Sequence, residues 1–334
     1  MELYSIIEII WLWTGNHFCE YILTIINVHL YDPAVSNDWW PPLLWKNQLR
    51  SFCLEPSFFG IIVNFLIPFL WIKLLNNKSG KILYTAMLIM AVYMIFLTNA
   101  RTAIIIYLGE LFLFCILSGI IQFKRWKSMI ICLLIVTGIC FGSSIIKTAV
   151  LQNENQSLVN NSMQYVNDNI ISIGDIQKRS NTARMGNTVA TFKVGLENPI
   201  FGVGKGYQAP FLQHNFPDFA KNDYEVLKWT KDMKEKTFLI SGYPVLNQYA
   251  AIFMWNGTLG LILFLIPIIY IFYFVIIKKQ ILHEPTFICI SVALVGQLFC
   301  MLSNEFFYTF PISLSLVYCY IEYWKTKSTY NVIN

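Results

Sequence analysis

The sequence predicts an all-α polytopic membrane protein of about eight transmembrane helices with one long extracytoplasmic loop. Three observations carry that expectation. Apolar runs of about 17 to 21 residues, long enough to cross a hydrocarbon core of roughly 30 Å, recur along the chain. Hydrophobic residues make up 56% and charged residues 13%, with a mean hydropathy of +0.53, where soluble domains carry roughly 25% charged residues. The basic residues of the short connections, finally, gather on one side.

The runs lie at 58–75, 82–98, 102–121, 128–146, 257–277, 286–304 and 308–324. An eighth candidate covers 3–31, interrupted by Asn16, His17 and Glu20, and reads either as one long broken helix or as an interfacial piece followed by a short span. Lys73, Lys78 and Lys81, then Lys124, Arg125 and Lys127, then Lys278 and Lys279, then Lys325 and Lys327 all fall on one side if the spans alternate, which makes that side cytoplasmic. If the N-terminal segment spans once, both termini are cytoplasmic. The expected organisation is 1–147 with about four spans, a loop at 148–248, and three spans in 249–334.

The net charge of +5, from 24 Lys and Arg against 19 Asp and Glu, is explained by this topology, so nucleic-acid binding is not expected. Six of the eight cysteines sit inside apolar runs and none lies between 141 and 288. That distribution excludes a disulfide-stapled loop, and no CxxC or Cys/His spacing suggests zinc. With Glu2 at the start and Lys46 the first basic residue, the N-terminus lacks the positive region of a cleavable signal peptide.

The long loop carries ten basic and nine acidic residues, a nearly neutral solvated segment. Residues 151–175, rich in Asn, Gln and Ser, read as its flexible part. In 181–197, Met185, Val189, Phe192 and Leu196 recur at helical spacing and Asn198-Pro199 ends the run. This predicts an amphipathic helix laying that apolar face on the membrane domain.

Several residue groups carry possible chemistry. In Arg50-Ser-Phe-Cys-Leu-Glu55-Pro56-Ser57, Pro56 suits a first helical turn and keeps Glu55 out of the α region, so Arg50 and Glu55 are placed to face one another across a bend. The same stretch also reads as an ordinary helix start with Trp39, Trp40 and Trp45 as an aromatic anchor. Arg101 stands in a tight outer turn, either as an anion contact or as a snorkelling helix-end cation. Glu110 lies two turns into the next span, either paired with a neighbour such as Lys147 or protonated. Arg179, Arg184 and Lys193 precede Asn198-Pro-Ile-Phe-Gly202-Val-Gly204-Lys205-Gly206, whose alternate glycines can turn successive amides inward on phosphate oxygens or simply form a tight turn. His214 is the loop's one histidine. After the loop, Gly257 and Gly260 offer small residues for close helix packing.

In this order the pieces resemble the O-antigen polymerase and O-antigen ligase superfamily of bacterial polysaccharide assembly. The resemblance rests on Arg50 to Ser57, on Thr98-Asn-Ala-Arg101-Thr-Ala, on Arg184 with Asn198 to Gly204, and on Asn247 to Leu265, and it extends from about residue 47 to 277. Ligase members carry a histidine just before the closing Asn, where this chain has Leu246. Members commonly have ten or more spans, which points to an N-terminal portion outside this chain.

The resemblance implies a glycosyltransferase of the membrane-embedded GT-C-like architecture, without cofactor or metal, in the cytoplasmic (inner) membrane. Its substrate would be an oligosaccharide repeat unit on polyprenyl diphosphate, polymerised into O-antigen, capsular or exopolysaccharide. Chain-length regulator, flippase and membrane lipid are the implied partners. Glu55, Arg101, Arg184 and His214 are the expected catalytic residues, with Glu55 and then His214 as general base. Arg50, Lys147, Arg179, Gly202, Gly204, Lys205 and Asn247 are expected to bind substrate. A ligase of the same superfamily is the near alternative. A transporter or flippase of lipid-linked sugars is the alternative from another class, and would call for charges spread through the bilayer and repeated halves.

Overall fold

The computed structural model describes residues 2–30, 44–45, 47–76, 79–121, 126–152, 179–236, 243–305 and 308–333. Every regular element among them is helical. The chain divides into two compact units, Met1–Ile170 with Ile288–Gly296, and Ile171–Phe287 with Gln297–Asn334.

The first unit opens with α1 (Glu2–Thr14) and α2 (His17–Leu30). The expected long helix or short span over 3–31 is instead a hairpin. Gly15 takes φ 61, a left-handed stop. The Asn16 side-chain oxygen then accepts from the Phe18 amide at 2.8 Å and the Cys19 amide at 3.3 Å, capping α2. Tyr4 donates to Asn27 Oδ1 at 2.7 Å, so the start of α1 meets the end of α2. Each helix is about 20 Å long, short of a roughly 30 Å core.

Four longer helices follow: α3 (Pro56–Asn76), α4 (Lys81–Leu97), α5 (Arg101–Ile121) and α6 (Trp126–Gln152). Gly60 lets α3 close on α5, since a Cβ there would overlap that of Ala103. Asn64 Nδ2 donates to the Ala103 carbonyl at 2.8 Å, and the Trp71 and Phe114 rings meet at 4.7 Å one stage further along both helices. Tyr107 shares a hydrogen bond of 2.7 Å with Thr137 of α6. Glu110, 2% exposed, packs against the backbone of Gly296. Neither of its carboxyl oxygens has a hydrogen-bond partner among the described residues. The side chain of Lys147, its expected partner, lies outside the described residues, and only the helix is described there.

The second unit contains α7 (Arg179–Glu197), α8 (Gln208–Asn215), α9 (Asp218–Lys221), α10 (Tyr224–Lys236), α11 (Gln248–Ile277), a 3-10 turn (Lys279–His283), α12 (Pro285–Cys300) and α13 (Thr309–Ile333), with α12 lending Ile288–Gly296 to the first unit. The face that α7 buries is not the expected one. Ala183, Gly186, Ala190, Val194 and Gly195 face inward, while Met185, Phe192 and Leu196 are about half exposed. The reason is closeness of approach: a Cβ on Gly186 would overlap Ala220, and one on Gly195 would overlap the Phe253 ring. Small residues win the interior when backbones come this near. The flexible stretch expected at 151–175 lies, from 153 onward, outside the described residues, as do Trp39 and Trp40.

Among the described residues, α3 and α11 are long and apolar enough to cross a bilayer, and Lys81–Leu97, Ile130–Ser144 and Pro285–Cys300 form shorter apolar helices. None of the eight cysteines forms a disulfide.

Candidate functional site

The four sequence motifs meet two by two, one pair in each unit. In the first unit, the Arg50–Ser57 stretch lies on the α4–α5 turn. The Leu49 amide donates to the Leu97 carbonyl at 2.9 Å, and Asn99, at φ 48, donates from its side chain to the Asn47 carbonyl at 2.9 Å. Thr98 closes the turn by bonding both the Ile95 carbonyl (2.7 Å) and the Ala100 amide (3.1 Å).

Within this pair, Arg50 and Glu55 do not face one another at a surface. Arg50 is 1% exposed, and its amide donates to Glu8 Oε1 at 3.1 Å while the Ser51 amide donates to Glu8 Oε2 at 2.8 Å. Ser51 takes φ 54 to aim its amide there, and Ser5 reaches its hydroxyl at 2.9 Å. Burial raises the Cys53 thiol to about 11, with the Glu8 carboxylate adding to the rise and Arg50 opposing it. Glu55 sits at the start of α3, where its carbonyl accepts from Phe58 and Phe59 and its carboxylate accepts from Ser57 Oγ at 3.1 Å. An acid there complements the positive end of the helix dipole. Arg101 has the opposite relation. It is half-buried in the first turn of α5, where cation and dipole are both positive, an arrangement that attracts an anion.

In the second unit, α11 is broken at Gly257 (φ 63, ψ −164). Across a break the helix loses its Thr258→Met254 and Leu259→Trp255 hydrogen bonds, and the 199–204 segment replaces them. Val203 and Gly204 donate to the Met254 and Trp255 carbonyls at 2.8 and 2.9 Å, and Thr258 and Leu259 donate to the Pro199 and Ile200 carbonyls at 2.7 and 3.5 Å. Gly202, at φ 68, and Gly257 make the approach possible reciprocally. A Cβ on Gly202 would stand 2.6 Å from the Asn256 nitrogen, and one on Gly257 2.6 Å from that of Phe201.

This alters the reading of the alternate glycines. The amides of Gly202, Val203 and Gly204 are bonded to backbone carbonyls, and that of Gly206 to Gln208 Oε1. The run is a clamp on a broken helix and not a phosphate nest. Lys205 lies over the Trp255 ring at 5.1 Å. Gly257 and Gly260 likewise serve the break rather than helix packing, for the side chain of Asn256 folds over Gly260.

The C-terminal end of α12 gathers two more expected residues. Arg184 donates to the Ser303 carbonyl at 3.0 Å and Asn247 Nδ2 to the Leu302 carbonyl at 3.0 Å, while the Gln248 amide takes the Met301 carbonyl at 2.9 Å. A cation on these carbonyls complements the negative end of the dipole. Asn247 also caps α11, accepting from Ala250 at 3.0 Å. Lys147 and Arg179 fall where only the helix is described.

His214 is exposed in the last turn of α8 and lines a shallow cavity of about 460 Å³ with Glu197, Pro210, Phe211 and Asn215. Asn215 donates to Glu197 Oε2 at 3.1 Å, tying the end of α7 to α8. A carboxylate, an amide, an imidazole and an exposed aromatic face in one groove suit a polyhydroxylated ligand. Sequence reasoning missed Glu8 and Glu197. Glu8 had a signal, an acid inside an apolar run, whereas Glu197 reads as an ordinary helix-end acid.

Residues 86–232 match the family model described as O-Antigen ligase. The matched span holds the Arg101 turn, α7 with Arg184, the 198–204 clamp and His214; it starts after the Arg50–Ser57 stretch and stops short of Asn247. No curated protein and no solved structure matches the chain. Members of that family are membrane proteins acting on lipid-linked glycans, in keeping with the apolar helices found here. The match at 86–232 and the motifs that the structure joins within each unit make this part of the chain similar to the O-antigen ligase family and support the O-antigen ligase and polymerase superfamily.

Proposed function

We propose that the chain polymerises oligosaccharide repeat units carried on polyprenyl diphosphate, at the outer face of the bacterial cytoplasmic membrane. The observation that carries the reading is the groove of Glu197, Phe211, His214 and Asn215, which offers a sugar ring an aromatic face and its hydroxyls three polar groups. An acceptor hydroxyl oxygen attacks the anomeric carbon of the growing chain. The bond from that carbon to the diphosphate breaks, and polyprenyl diphosphate leaves with the electron pair. The hydroxyl proton passes to a base, for which His214 in the groove and Glu55 in the first unit are the candidates. Arg184 in the second unit is the cation proposed to meet the charge developing on the diphosphate, and Arg101 in the first unit is the alternative, each taken by itself. Because the leaving group is good, loss of an arginine costs more than loss of the base. Leu246, where ligase members have histidine, favours the polymerase over the ligase.

The test is genetic. The gene is deleted in the source strain and complemented at matched protein levels with wild type, Arg101→Ala, Arg184→Ala, Glu55→Gln and His214→Ala, and surface glycan is resolved by gel. Single-repeat glycan on deletion, restored by wild type and not by the arginine variants, is the expected result. Intact long chains left uncapped on lipid carrier would instead identify a ligase, and an unchanged ladder would refute both.

A further inference from the structure

We infer that the outward face of α7 and the turn after it are a membrane-embedded element, seated in the hydrocarbon edge of the leaflet where the α11 span begins. The inference is independent of the reaction proposed above and uses residues of the second unit alone. Met185, Phe192 and Leu196 lie at i, i+7 and i+11 on one side of α7, about half exposed, and the stripe runs on into Ile200 (63% exposed) and Phe201 (72%). Five large apolar side chains in one continuous outward row exceed what a water-facing helix carries without a partner.

The occupant follows from what the row is attached to. The Pro199 and Ile200 carbonyls accept from Thr258 and Leu259, the first residues after the Gly257 break. From Thr258 to Ile277 the helix is an apolar stretch about 30 Å long, and Leu259, Ile262, Leu263 and Ile266 are each about half or more exposed along it. That outward face of a span is a lipid-facing face. Ile200 is pinned by a backbone bond to its first turn, with Phe201 next in the chain, so the α7 row leads directly onto the lipid-facing surface. Lys193, exposed on the flank of α7, and Lys205, over the ring of Trp255, are cations at the height of the head groups. The inward face of α7 is already filled by small residues on α9 and α11, so the helix is held by protein on one side and by lipid on the other.

The test uses the full chain in nanodiscs of phosphatidylcholine and phosphatidylglycerol. Spin labels are placed one at a time through Phe192→Cys, Phe201→Cys, Leu263→Cys and His214→Cys in a background whose native cysteines are replaced. Oxygen and a water-soluble nickel chelate then compete as relaxing agents. The labels at 192 and 201 should respond to oxygen over nickel as the Leu263 reference does, and the label at 214 should show the reverse. A nickel response at 192 and 201 equal to that at 214 overturns the inference, and so does protection from both agents, which would mean that protein covers the row. Should the cysteine-free background fail to fold, p-benzoylphenylalanine in place of Phe201 in the otherwise native chain keeps the test alive. Irradiation is expected to give phospholipid adducts there and none at position 214. Adducts to a second copy of the chain, or no lipid adduct, would refute it.

Discussion

Replacing Gly257 with alanine should unfold the second unit's clamp, and the size of the effect can be worked out from the break. At φ 63 and ψ −164 the backbone occupies a region essentially reserved for glycine, so alanine costs about 1–3 kcal/mol in conformation alone. Its Cβ would also overlap the Ile200 carbonyl and drive the 199–204 segment away, breaking the four backbone bonds it makes. If the helix then straightens, Thr258 and Leu259 regain their partners and two bonds are lost net, at about 0.5–1.5 kcal/mol each. The strain is borne if the break persists and the net loss of two bonds if the helix straightens, so the two costs are alternatives and the total is about 2–3 kcal/mol. Gly204 is the internal control: it has φ 84, but nothing lies within 4 Å of an added Cβ, so Gly204→Ala costs only about 1 kcal/mol. Gly202→Ala should match Gly257→Ala, and the double variant should be little worse than either, because both break the same contact. Retention of a monodisperse peak on size exclusion after graded heating in detergent ranks the variants. If Gly257→Ala proves no less stable than Gly204→Ala, or the double variant is additive, the clamp reading is refuted.

Three further outcomes are expected. Glu8→Gln leaves only one good acceptor for the Arg50 and Ser51 amides and should cost roughly 2–3 kcal/mol, read by the same heating assay; wild-type stability would count against Glu8 as the anchor of that stretch. Iodoacetamide labelling of Cys53, followed by mass spectrometry, should rise with a midpoint near pH 11, because only the thiolate reacts. An unfolded thiol ionises near 9.0, so the stability this group contributes is complete below pH 9 and fades as pH rises to about 11. A labelling midpoint near 9 would contradict the burial. In the first unit, Gly296→Ala puts a Cβ 2.7 Å from the Glu110 carboxyl carbon and should cost about 1–3 kcal/mol by overpacking. Adding Glu110→Ala should return part of that stability, whereas a double variant that melts below Gly296→Ala alone would argue against the contact.

Much of the secondary structure was legible, for each apolar run from 58 onward falls on a helix. The failures have a common physical origin. The stripe of Met185, Phe192 and Leu196 is periodic, but periodicity gives a face and not its destination. Where neighbours come close enough to exclude a side chain, glycine and alanine take the interior and the large residues turn out. Gly202 and Gly204 read as turn-forming glycines, yet which acceptors the amides of this run would meet depended on a break at Gly257, far along the chain. Glu8 escaped notice because its meaning lies in two backbone amides more than forty residues away. Arg50, Arg101 and Arg184 are chemically alike in sequence; only the fold separates a buried one, one on a positive helix end and one on carbonyls.

The exchange of hydrogen bonds at Gly257 also sets an order of events during synthesis. The 199–204 stretch leaves the ribosome before its partners in 254–259 exist, and until α11 forms, the Val203 and Gly204 amides lack the carbonyls they bond in the folded chain. Helices α7 through α10 therefore complete their packing only once α11 has formed. A chain stalled or truncated ahead of Gly257 would carry α7 through α10 with their clamp open, exposed to proteases at the Pro199–Gly204 turn.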